Sequence, residues 1–119
     1  MNLFFRLLGC VFAVLFSWAA YVQNNDPDAT AWYIIYGFAA FASILFAIKR
    51  LPFVVAILLG LAALIGTYKQ WPTTFEGFTI GKGDIENIER GREAFGLLII
   101  AVMMILYALR IRFEKKFNL

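Results

Sequence analysis

"WYIIYGFAAFASILFAIKRLPFVVAILLGLAALIGTY", residues 32–68, decides the fold. Two apolar runs are joined by a turn that holds the stretch's only charges, Lys49 and Arg50. Each run, Trp32–Ile48 and Pro52–Tyr68, has about the 17 residues that a helix needs at minimum to cross a hydrocarbon core. Pro52 suits a first helical turn, where a missing N–H leaves nothing unpaired. Upstream lies a third apolar run, from about Leu3 to Val22, closed by the turn signal Gln23-Asn24-Asn25-Asp26-Pro27-Asp28. Downstream, Ala94–Leu109 is apolar and is followed by Arg110 and Arg112. The spacing therefore predicts an all-α polytopic membrane protein. Residues 1–119 form a single domain of four transmembrane helices (3–22, 32–48, 52–68 and 94–109) in an antiparallel bundle. The segment 69–93 is a longer outer loop. Gly77, Gly81 and Gly83 mark its irregular part, and the pattern turns helical from Asp84, a suitable N-cap with Glu86 in the first turn.

Composition points the same way. Of 119 residues, 62% are hydrophobic and 16% charged, against about 25% charged in soluble domains. A soluble chain this short has too much surface for its volume to bury that much apolar area. The net charge of +3 is spread over loops rather than gathered on a polar face, so no nucleic-acid partner is expected. Cys10 is the only cysteine and there is no histidine. That argues against thiol–disulfide chemistry within the chain, His-ligated metals and Ser-His-Asp hydrolysis. Leu7-Leu8-Gly9-Cys10 looks like a lipoprotein box, but Arg6 leaves no room for the apolar stretch a signal peptide needs. Cys10 is therefore expected to carry no lipid. Cleavage after Ala20 fits less well than a helix end, because Trp18 and Tyr21 suit an interface.

Basic residues set the expected orientation. Arg6, Lys49, Arg50, Arg110, Arg112, Lys115 and Lys116 fall on one side of the spans, with Glu114 the only acid there. Cytoplasmic loops carry the Lys/Arg excess, so both termini are expected inside. The chain has no Asn-x-Ser/Thr sequence, which fits a bacterial inner membrane. Trp18, Tyr21, Trp32, Tyr33, Tyr36, Tyr68 and Trp71 gather toward the outer ends, and Tyr107 alone lies toward the inner side. Two readings stand: an interfacial belt, or an aromatic cup beneath the outer loops.

The candidate site draws on two outer clusters. In the first loop, Asp26 fits an N-cap, Pro27 the first helical position and Asp28 the first turn. The same loop offers carboxylates and amides, Gln23, Asn25, Asp26 and Asp28, as ligand partners. Its spacing is not that of an EF-hand, and no metal is expected. The second cluster holds Glu86, Glu89, Arg90, Arg92 and Glu93, with Glu86–Arg90 and Glu89–Arg92 at helical pair spacing. The plain reading is a salt-bridged helix start. The functional one has the carboxylates meeting Arg90 or Arg92 above Trp32 and Tyr36, which share a helix face. Candidate ligand-binding residues are Gln23, Asn25, Asp26, Asp28, Trp32, Tyr36, Glu89, Arg92 and Glu93. Between their boundary residues the spans hold no Asp, Glu, Lys or Arg, which weakens a coupled-transport reading. Small residues four apart, Gly9/Ala13, Ala39/Ser43, Ala56/Gly60 and Ala62/Gly66, suit close helix packing.

The stretch Gln23-Asn24-Asn25-Asp26-Pro27-Asp28, with Trp32 and Tyr36 after it, resembles the transmembrane protein 220 family. There a Gln-x-Asn-Asp-Pro-Asp signature follows the first helix. Arg92-Glu93-Ala94-Phe95-Gly96, opening the last span, is similar to the family pattern too. The resemblance implies four helices and favours one site built from both outer clusters. It implies no substrate and no cofactor. With no nucleophile–base set and no catalytic residue in view, the expected function is an accessory or scaffold subunit of a membrane assembly. The expected partners are lipid and other membrane subunits or further copies of the chain. The alternatives are a ligand-binding or catalytic protein with the outer site and, less favoured by the charge-free spans, a small oligomeric transporter.

Overall fold

The computed structural model describes the backbone of residues 3–22, 29–71 and 85–117 and the side chains of residues 3–22, 30–71 and 91–114. Four helices follow one another: α1 (Leu3–Tyr21), α2 (Ala29–Ala47), α3 (Phe53–Gln70) and α4 (Ile85–Phe117). The described residues contain no strand. All four helices are long and apolar enough to span a membrane, over Leu3–Tyr21, Thr30–Ala47, Phe53–Gln70 and Gly91–Glu114. The bounds of α1, α2 and α3 match the sequence reading to within a few residues, α4 runs on past Leu109 to Phe117, and Pro52 falls one residue before α3 rather than in its first turn. Residues 85–93, counted in the outer loop by span length, are helical, as the pattern from Asp84 predicts. The 33 residues of α4 rise roughly 50 Å at 1.5 Å each, well beyond a hydrocarbon core of about 30 Å.

The chain forms two compact units: residues 1–53 with 110–119, and residues 54–109. In the first, α1 and α2 run antiparallel at close range. A Cβ on Gly9 would lie 2.9 Å from the Ser43 carbonyl oxygen and 3.2 Å from Ala47 Cβ. Arg6 pairs with Ala47 and Phe16 with Tyr36, so early residues of α1 meet late residues of α2. In the second unit, Gly60 approaches Ala101, Met104 and Ile105, and Gly66 approaches Leu97. The reversed order makes α3 and α4 antiparallel there too. Three of the four small-residue pairs are buried as expected; in Ala62/Gly66, Ala62 is exposed and Gly66 half-buried.

Three hydroxyls inside the spans are satisfied within their own helices. Ser17, Ser43 and Thr67 donate to the carbonyls of Ala13, Ala39 and Ala63 at 2.7, 2.9 and 2.8 Å. In hydrocarbon no water replaces a missing partner. The same rule governs the end of α2. A helix leaves its last four carbonyls without partners. Here the N–H groups of Ile48, Lys49 and Arg50 donate to Ile44, Phe46 and Leu45. The last two bonds form the paired pattern that closes a helix through a left-handed residue. Lys49 takes that conformation, at φ 62°, which costs a side-chain-bearing residue roughly 1–2 kcal/mol. The fourth carbonyl, of Ala47, accepts from Arg6 Nε of α1 at 3.1 Å.

Backbone proximity at Gly9 generates a test. Gly9→Ala must push α1 away from the α2 backbone and is expected to destabilise the protein by about 1–3 kcal/mol, the range for overpacking. Gly37 lies in α2 with nothing within 4 Å of its would-be Cβ. Gly37→Ala is expected to be neutral or to stabilise by up to about 1 kcal/mol through helix propensity. Reversible unfolding in mixed micelles checks both signs.

Candidate functional site

The predicted outer site divides into parts with different fates. Gln23, Asn25, Asp26 and Asp28 lie outside the described residues, as does the Asp84 cap. Glu89 and Arg90 belong to α4, with side chains outside the described set. Trp32, Tyr36, Arg92 and Glu93 are described.

Trp32 and Tyr36 point inward, with 4% and 8% of their surface exposed. Four residues apart on α2, their rings pack at a tilt of 35° with centroids 5.9 Å apart. Tyr36 also stacks on Phe16 of α1 at 6.4 Å, and Phe16 meets Phe12 at 5.7 Å. The result is an aromatic ladder inside the first unit, in which Trp and Tyr bring polar tips among apolar faces. Phe16 was not singled out by the sequence, because an inward Phe on an apolar helix looks like its lipid-facing neighbours. Trp18, Tyr21, Tyr33, Tyr68 and Trp71 are exposed, and Trp18 stacks on Tyr21 at 5.6 Å. The outer aromatics thus split: five are exposed, as an interfacial belt requires, and two line the interior.

In the second unit, Arg92 is exposed and Glu93 half-buried at the start of the α4 span. Phe95, three residues after Arg92, packs on Trp71 with centroids 5.7 Å apart. Within the described residues, the start of α4 therefore engages the end of α3 through an aromatic pair, and Arg92 faces outward.

At the other end of α1 and α2, basic residues hold defined positions. Arg110 of α4 is mostly buried, with its guanidinium carbon 4.4 Å from the Phe5 ring centroid and 5.2 Å from that of Phe113. Its Nε lies 3.5 Å from Glu114 Oε1, one helical turn on. Arg112 lies over Phe53 at 5.7 Å. Such contacts let guanidinium groups sit against apolar rings at a membrane edge. Beside them is a cleft of about 60 Å³, lined by Phe46, Lys49, Leu51, Ile111 and Glu114. From sequence these cations served only to set orientation. The contacts join residues dozens of positions apart, and no local spacing reveals them.

Comparison with known proteins places the chain. No solved structure matches it. A protein-family profile described as "Transmembrane family 220, helix" matches residues 15–109. That match takes in the end of α1, all of α2 and α3 and most of the spanning part of α4, including Trp32, Tyr36, Arg92 and Glu93. The chain is a multi-pass membrane protein and belongs to transmembrane family 220.

Proposed function

We propose that the protein is an accessory or scaffold subunit of a membrane assembly, with both termini in the cytoplasm. One observation carries this reading. Only 17% of the α1 span and 22% of the α3 span are buried within the chain, against 44% for α2 and α4. Two helices thus offer most of their apolar surface to lipid or to other transmembrane segments. Helix association in a bilayer rests on packing and hydrogen bonds, since lipid is as apolar as the helix faces. Exposed faces carrying Val14 on α1 and Leu58 on α3 suit that use. The charge-free middle of each span agrees, because ion- or proton-coupled transport usually relies on an ionisable group inside the membrane. The basic ends support the cytoplasmic placement of the termini, and the lack of an Asn-x-Ser/Thr sequence is in keeping with a bacterial inner membrane.

A second reading is favoured by the buried pair Trp32 and Tyr36. In it, Gln23, Asn25, Asp26 and Asp28 join Glu89, Arg92 and Glu93 in a ligand site on the outer face, with the aromatic ladder as its floor.

Photo-crosslinking in native membranes tests the first reading. Crosslinkers at Val14 and Leu58 are expected to give discrete adducts of one stoichiometric size, from a partner subunit or a second copy. Lipid adducts alone at both positions contradict it. A double-mutant cycle tests the second. Asp28→Asn and Arg92→Gln are expected each to destabilise the protein, with a coupling of about 0.5–3 kcal/mol if the groups meet. Strict additivity in unfolding measurements removes that reading.

A further inference from the structure

The basic end of the first unit carries an inference independent of the outer site and of the subunit reading. We propose that the closing turn of α2, with Lys49 on the cleft and Arg50 next to it in the chain, binds the phosphodiester headgroup of an anionic glycerophospholipid.

Depth comes first. The α2 span of 18 residues rises roughly 27 Å, close to the thickness of a hydrocarbon core. Residues 48–51 therefore sit at the level of lipid phosphates. Charge comes second. Arg6 is committed to the Ala47 carbonyl, Arg110 to Glu114 and two rings, and Arg112 to Phe53. Glu114 lines the cleft, but Arg110 balances its charge. Lys49 and Arg50 are exposed, and among the described residues neither joins an ion pair. Among the described residues they are the surplus cations at this end.

Backbone conformation is the third and most specific point. Lys49 occupies the left-handed position that ends α2, where glycine is the usual residue and asparagine the next. A lysine there is strained, and its side chain borders the cleft. Strain held at one position is a reason to look for function in that side chain. Apolar Phe46, Leu51 and Ile111 on the same cleft match the glycerol and first methylenes below a phosphate. A free phosphate has no use for them, so the source is lipid.

Lys49→Gly separates structure from binding, because glycine relieves the strain while it removes the cation. The full-length protein is placed in nanodiscs containing equal amounts of phosphatidylglycerol and phosphatidylcholine. Lipids that remain bound are then counted by native mass spectrometry. The unaltered chain is expected to retain phosphatidylglycerol preferentially. Lys49→Gly is expected to unfold no more easily than the unaltered chain, yet to lose about fivefold in that preference, the factor for one basic residue at an anionic surface. Arg50→Gln is expected to show a similar loss, and Lys69→Gln, at the other end of the spans, none. An unaltered chain without preference, or a Lys49→Gly protein that keeps it, overturns the proposal. Release of the bound lipid by millimolar inorganic phosphate at constant ionic strength also overturns it, since the site then selects free phosphate.

Discussion

The end of α2 is where the structure is most tightly constrained. A helix that stops at a membrane boundary must find donors for its last four carbonyls before the chain reaches water. Three come from the turn through Lys49, and the fourth is Arg6 of α1. That long-range bond fixes the register of the first helical pair. With Arg6 on Ala47, Gly9 falls opposite Ser43 and Ala47, and Phe16 falls opposite Tyr36. A shift of one residue would turn Gly9 away from the α2 backbone and put a larger side chain at the closest approach. The positive guanidinium also meets the negative end of the α2 dipole.

From that anchor the two ends of the pair diverge in character. The Trp32–Tyr36 end is aromatic, with a ladder of buried rings. The other is basic, with arginines stabilised over rings and carbonyls rather than by acids alone. The last residues of α4, from Arg110, belong to the same compact unit. One long helix therefore contributes its span to the second unit and its basic end to the first.

Much of this was legible in the sequence. Four apolar runs, the Lys49-Arg50 turn and the helical pattern after Asp84 give all four helices, with ends within about three residues except that α4 runs on past Leu109 to Phe117. The i,i+4 spacing of Trp32 and Tyr36 gives their shared face. Other features were not legible, for stated physical reasons. The φ of Lys49 cannot be read from composition, because lysine rarely takes it. Inward Phe16 and outward Phe4 are the same residue type on one apolar helix. Phe95 meets Trp71 while Arg92 is exposed, a split that their i,i+3 spacing, which puts both on one side of α4, does not show. The carboxylates of the first loop, Asp26 and Asp28, lie outside the described residues, so the joined outer site rests on sequence.

Membership of transmembrane family 220 agrees with a chain whose design is spent on spanning and packing. The proposed topology has four helices crossing the bilayer, with both termini and the Lys49-Arg50 turn on the cytoplasmic face. Topology reporters test it most directly, fused after Lys49, within Gly77–Gly83 and after Leu119. Cytoplasmic signals at Lys49 and Leu119, with an external signal between Gly77 and Gly83, are the expected result. An external signal at Leu119 would contradict the account.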